Sequence, residues 1–172
     1  MLRLDSSHVH LQELIGTQLI PTKSATTLLD SGNNVTVLCQ LYSDRIFVSV
    51  SQREKLGYVV QAQVQMSLQS LRDADHSIPP LPNVSLCPLL GAPPYAMQDL
   101  YSFYAAQIAI YVTQCSHLSD GYRPSVAEHV PKPLVIALAL EPLSTVEEDL
   151  DTTQERQRLD KIISIIESCK VW

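Results

Sequence analysis

Apolar and polar side chains alternate almost without a break from residue 35 to residue 66. Across residues 35–42, Val35, Val37, Cys39 and Leu41 fall on one side, and Thr36, Leu38, Gln40 and Tyr42 on the other. Side chains alternate in this way across a strand, so the period of two predicts extended chain. Ser43 and Asp44 make a tight turn, after which Ile46, Val48 and Val50 alternate with Arg45, Phe47, Ser49 and Ser51. A polar link, residues 52–55, leads through Leu56 to Gly57, whose missing Cβ lets the chain reverse. Residues 58–66 alternate again, Val60, Ala62, Val64 and Met66 against Gln61, Gln63 and Gln65. Short links between such runs predict antiparallel neighbours, because parallel strands need a long crossover. A further extended segment is expected over 18–29, ended by the turn-rich residues 30–34.

Beyond this meander the texture changes. Residues 69–83 are polar and then proline-rich, which predicts a surface loop. A short strand is expected over 84–90, at an edge or with a bulge, since Pro88 has no N–H to give a ladder. Pro93 and Pro94 open a helix over 95–115, with Met97, Leu100, Tyr104, Ile108, Tyr111 and Cys115 at helical spacing. Its β-branched tail, 108–113, also suits a strand, but the alanines at 105, 106 and 109 favour one helix. A second loop covers 116–133. The continuous apolar run 134–140 has the length of a central strand buried on both faces. The segment 141–155 is acidic, and a last helix begins near Thr152 with Leu159, Ile162, Ile163, Ile166 and Cys169 on one stripe. The fold class expected is α+β: one domain over 1–172, an antiparallel sheet with two helices over one face, in the order β-β-β-β-β-α-β-α. The three loops are insertions in it.

Composition adjusts this picture in one respect. The chain has 172 residues and 17% charged residues, against roughly 25% for globular chains in general. A net charge of −6 argues against a general binder of nucleic acid or anionic membrane. Six acids and no base lie between Glu141 and Glu155, and the other 12 acidic residues balance the 12 basic ones. The body is therefore neutral. No apolar run reaches the 18 residues a membrane helix needs, and the amino-terminal residues lack the form of a secretory leader. Cys39, Cys87, Cys115 and Cys169 are widely spread and read as small hydrophobes in a reducing compartment. A cytoplasmic protein is expected, with the nucleus as a second compartment.

Catalytic motifs are missing from the sequence. It holds no phosphate-binding glycine loop, no nucleophile elbow and no H-E-x-x-H. His8 and His10 would share one side of an extended segment, but two imidazoles do not complete a zinc site, and His76, His117 and His129 lack ligand spacing. The acids at 147–151 lack the EF-hand glycine and read as a solvated loop that favours the positive end of the next helix. No enzyme activity, cofactor or metal is expected. The positive signal is the sheet face opposite the helices. Leu38, Tyr42, Phe47, the residue at 58 or 59, Gln61, Gln63 and Gln65 mix apolar anchors with hydrogen-bonding groups, as protein contacts do. Arg53 and Lys55 at the turn could meet an acidic partner. Trp172 could close the last helix against the sheet or anchor a partner.

These residues resemble the proteasome assembly chaperone 3 family. The run 37–57 looks like the family's central hairpin without a gap, in Cys39, the aromatic Tyr42, the alternating Ile46, Val48 and Val50, Ser51-Gln52, and Lys55-Leu56-Gly57. Leu89-Leu90-Gly91, the run 135–140 and the closing Cys169-Lys170-Val171-Trp172 follow in the same order. The three loops make this chain longer than compact family members, and partner contacts of those loops do not carry over.

The resemblance implies a non-catalytic chaperone. Such a chain pairs with a related small chaperone, binds an α-type subunit of the 20S proteasome, assists α-ring assembly and then leaves. The alternative is an adaptor module of longin or roadblock type, in trafficking or GTPase regulation, since those also combine a meander with packed helices.

Overall fold

The computed structural model describes residues 20–29, 32–52, 54–65, 82–119, 132–143 and 152–172. Six strands form one sheet: β1 (Thr22–Leu28), β2 (Asn34–Leu41), β3 (Ile46–Ser51), β4 (Tyr58–Gln65), β5 (Asn83–Leu90) and β6 (Leu134–Ala139). Among the described residues there are also two α-helices, α1 (Gln98–Ser119) and α2 (Thr152–Ser168), with a 3-10 turn, Tyr95–Met97, leading into α1. This is the expected α+β class and element order. Helix α1 runs on past 115 into the stretch read as loop, so the β-branched tail is helical.

The sheet is mixed rather than antiparallel throughout. Its order is β1-β2-β3-β6-β4-β5, so β6 separates the two strands expected to be neighbours. Strands β1, β2 and β3 do form an antiparallel meander, with Leu41 opposite Ile46 at the hairpin end. Strand β6 then runs parallel to β3, with Val48 beside Ile136, and antiparallel to β4, with Val60 beside Ile136. The reason lies in the link 52–57. Stepping over one strand requires roughly 10 Å, twice the spacing between strands, which six residues span easily. The apolar run of β6 gains most at the centre of the sheet, and five of its six residues are buried.

Strand β5 sits at an edge, as Pro88 demands, and its register to β4 shifts between Val59 and Val60. Both predicted accommodations of the proline therefore occur together. At the same end of the sheet two glycines meet. Gly57 and Gly91 both have positive φ, 62° and 69°. A Cβ on Gly57 would lie 2.2 Å from the Leu138 carbonyl oxygen, and one on Gly91 3.0 Å from the Gly57 carbonyl oxygen. Only residues without side chains let the ends of β4, β5 and β6 approach so closely.

The core lies between one sheet face and both helices. Val35, Val37 and Cys39 of β2, Val48 and Val50 of β3, Val60 and Ala62 of β4, and Ile136 and Leu138 of β6 are fully buried there. Helix α1 contributes Tyr104, Ala105, Ile108, Ala109 and Val112; its small residues let it lie close where it crosses β4, β5 and β6. Helix α2 contributes Leu159, Ile162, Ile165 and Ile166 against β1 and β2. Burying such a side chain contributes about 1.5–3 kcal/mol, the main favourable term.

A polar cluster ties the layers together. The Tyr104 hydroxyl donates to Glu155 Oε2 at 2.7 Å, Arg158 Nε donates to the Tyr104 hydroxyl at 3.0 Å, and Arg158 pairs with Glu155 at 2.7 Å. Arg158 also donates to the Glu141 carbonyl at 2.7 Å. Glu155, the last acid of the segment 141–155, is buried in the first turn of α2 and paired with Arg158 one turn later. The acids at 147–151 lie outside the described residues.

Candidate protein-binding face

The face turned away from α1 and α2, free of these two described helices, is built by the alternate residues of the same strands. Across its middle, Ser24, Leu38, Ser49, Ala137, Val59 and Leu90 stand side by side from β1 to β5. The neighbouring row reads Thr22, Gln40, Phe47, Val135, Gln61 and Cys87. Val59, Val135 and Ala137 form a second apolar cluster that is itself buried, with half-buried Phe47 packed against it. Around that centre the polar groups pair with one another. Thr26 and Thr36 share a hydrogen bond of 2.9 Å, Gln40 donates to Thr22 at 3.3 Å, and the Tyr42 hydroxyl donates to Gln40 at 3.0 Å. What this face offers a partner is the half-buried ring of Leu38, Gln40, Tyr42, Phe47 and Gln61 around that buried centre, a mixture of apolar and hydrogen-bonding groups that suits a protein contact.

Of the residues singled out by sequence, Leu38, Tyr42, Phe47 and Gln61 come together here, each half-buried, with exposed Gln63 further along β4 opposite Ser85. Of residues 58 and 59, Val59 takes the helix-free face and Tyr58 the core. Lys55 stands apart, exposed at the end of the sheet, its N–H bonded to the Ser51 hydroxyl at 2.9 Å. Trp172 is on the other side, packed against the helix-side core with a buried indole N–H that has no partner among the described residues. Arg53 lies outside the described residues, as do Met66 and the histidines at 8, 10, 76 and 129.

Val135 and Ala137 belong to this face without any mark of it in the alternation. In β6 every residue is apolar, so the pattern gives no hint of which side chains point which way. The available signal is the run itself, since a strand apolar on both sides must meet something on each. Among the described residues no group of three or more His, Cys, Asp or Glu is placed to hold a metal. No described helix is long and apolar enough to cross a membrane. Burial raises the Cys39 thiol to about 12, helped by the nearby Cys169 thiol, so its sulfur stays protonated and unreactive. The hydroxyls of Tyr101 and Tyr104 are likewise pushed up by burial.

These features define a small α+β protein whose six described strands form one sheet with α1 and α2 packed on one side. No family model and no curated protein sequence matches the chain. Among solved structures the chain is similar to a component of a chaperone complex for yeast 20S proteasome assembly. The identity is 12% and the TM-score 0.48, over 86% of this chain and 96% of that one.

Proposed function

We propose that the chain is a non-catalytic proteasome assembly chaperone. It pairs with a related small chaperone, holds an α-type subunit of the 20S proteasome while the α-ring assembles, and dissociates afterwards, acting in the cytoplasm and nucleus. The observation that carries this reading is where the family-like residues fall. The hairpin 37–57 and the two glycine corners, Gly57 and Gly91, are what build the sheet and hold its far end closed. That same hairpin contributes Leu38 and Phe47 to the helix-free face, with Phe47 at its apolar centre. A chaperone that must later let go needs a preformed contact surface and no reaction centre, because a surface that does not reorganise allows fast binding and release.

The test is affinity purification of the tagged chain from cells at low salt, with the subunits identified. The expected result is recovery of α-type proteasome subunits and a second small chaperone. Leu38→Gln, at a half-buried position on this face outside either buried cluster, should weaken their recovery while keeping its melting temperature within a few degrees. A preparation dominated by a small GTPase or a SNARE would overturn the reading in favour of the longin or roadblock alternative.

A further inference from the structure

Helices α1 and α2 pack on the same side of the sheet, yet their outer sides differ in chemistry. Helix α2 is charged there, with Arg156, Asp160 and Glu167 exposed, as the watered side of an amphipathic helix normally is. Helix α1 is not. From Asn83 to Ser116 the only charged residue is Asp99. The outer stripe of α1 is Asp99, Phe103, Ala106, Gln107, Ile110 and Gln114, each exposed or half-buried, with Phe103 50% exposed. At about 100° per residue, Phe103, Ile110 and Gln114 fall within about 40° of one another. They stand opposite Tyr101, Ala105, Ile108 and Val112, which are buried in the core. A helix with apolar groups on both sides suits burial on both, and the sheet covers only one.

The stripe is complementary to itself. Two copies of α1 set antiparallel about a two-fold axis between Ala106 and Gln107 place Phe103 of each beside Ile110 of the other, and Asp99 of each beside Gln114 of the other. The large apolar residues then meet each other, and Ala106 at the crossing lets the helix axes approach. Each carboxylate faces an amide. The two carboxylates lie about 22 Å apart along the axes, at about 1.5 Å per residue, which is more than two Debye lengths at physiological salt. The positive end of each helix also lies beside the negative end of the other. An acidic or basic partner would find almost no ionic handle on this stripe, whereas a second copy matches it from end to end.

We propose that the outer side of α1 is a homodimer contact, through which two copies of this chain pair antiparallel with Phe103 and Ile110 at the centre. One helix against one helix is smaller than the interface of a permanent dimer, so the pair is weak, with a Kd of about 10–100 µM. Nothing in this depends on the chaperone reading, since the stripe shares no residue with the face around Phe47.

Sedimentation equilibrium of the full chain from about 5 to about 500 µM tests it, the expected result being a monomer that becomes a dimer across that range. Phe103→Arg, at an exposed position, should leave a monomer throughout with the melting temperature kept within a few degrees. Gln114→Lys, also exposed, gives each Asp99 an ammonium from the other copy. It should tighten the dimer roughly four- to twentyfold, two exposed ion pairs at roughly two- to fivefold each. Gln114→Glu sets carboxylate against carboxylate and should weaken the dimer, and adding Asp99→Lys to that variant should restore it. Leu38→Gln should leave the dimer as it is, which separates this contact from the proposed chaperone face. A chain that stays monomeric over the whole range, a dimer indifferent to Phe103→Arg or to both changes at Gln114, or one that Leu38→Gln dissociates would overturn the proposal.

Discussion

Three glycines with positive φ allow the cost of a single added methyl group to be divided into its causes. Gly32, at φ 80°, has nothing within 4 Å of where a Cβ would stand. Alanine there meets only the left-handed backbone penalty, about 1–2 kcal/mol, partly offset by the loss of unfolded-chain freedom that alanine brings, about 0.4–1 kcal/mol. Gly32→Ala should therefore cost about 1 kcal/mol or less. Gly91 carries the same backbone term, and its Cβ would stand 3.0 Å from the Gly57 carbonyl oxygen, so that peptide must yield by a few tenths of an ångström. Gly57 is the severe case. Its Cβ would sit 2.2 Å from the Leu138 carbonyl oxygen and 2.9 Å from the Ala139 Cβ. Leu138 is the partner of Tyr58 in the β4–β6 ladder, so relief requires the ladder itself to open at its end. Adding an overpacking cost of about 1–3 kcal/mol to the backbone term puts Gly57→Ala at about 3 kcal/mol or more. Urea unfolding of the three variants reads this as midpoints falling in the order Gly32, Gly91, Gly57 with an unchanged slope. In thermal unfolding Gly57→Ala should lose about 8 °C, given about 2–4 °C per kcal/mol for a chain of this size. Equal losses for Gly57→Ala and Gly32→Ala would refute the argument, because the three strand ends would then not depend on that close approach.

Removing Arg158 leaves Glu155 buried without its cation, so Arg158→Ala should cost about 3–5 kcal/mol in chemical unfolding. The double variant Glu155→Leu with Arg158→Met removes both charges and should recover most of that loss. The Cys39 thiol holds its proton to about 12 in the folded chain and releases it near 9 when unfolded, so the folded form binds the extra proton between those values. Stability should then fall as pH rises from about 9 toward 12, by about 1.4 kcal/mol per unit for this group. Burial of Tyr101 and Tyr104 extends the fall to higher pH. Urea midpoints at about pH 8 and about pH 10 measure the effect, and Cys39→Val should flatten it; a Cys39→Val chain with an undiminished slope would assign the loss elsewhere. Under native conditions exposed Cys87 should react with an alkylating reagent while buried Cys39 reacts only on unfolding.

Much of the fold is legible in the sequence because it rests on one-sided burial. Strands β2, β3 and β4 each hide one face in the core, and their alternation alone assigns Val37, Val48 and Val60 to the buried side. The helix stripes are legible with less precision. In α1, Tyr101 is buried and Leu100 and Tyr111 only partly so, because a helix rich in tyrosine and alanine shows its inner side only weakly in its hydrophobicity. The tyrosines are amphipathic: Tyr101 and Tyr104 bury their rings while their hydroxyls find Leu140 and Glu155. Sequence shows the ring or the hydroxyl but not the partner that makes burial possible.

Strand order is not legible, and the same physics explains the surprise in the face. Local alternation reports on each strand's two sides, whereas adjacency is decided by which arrangement buries the most apolar surface in total. Strand β6 follows β3 only after β4, β5 and α1 have intervened, yet it takes the place between β3 and β4, the position that its apolar run requires on both sides. Once there, its even residues, Ile136 and Leu138, complete the core, while Val135 and Ala137 join Phe47 and Val59 on the other face. The apolar centre of the candidate binding face is thus a consequence of the strand insertion. With β3 and β4 paired directly, Phe47 and Val59 would lack the two residues that now stand between them. The parallel β3–β6 pair and the candidate protein contact therefore share one cause, and a β6 made polar at 135 and 137 would weaken both.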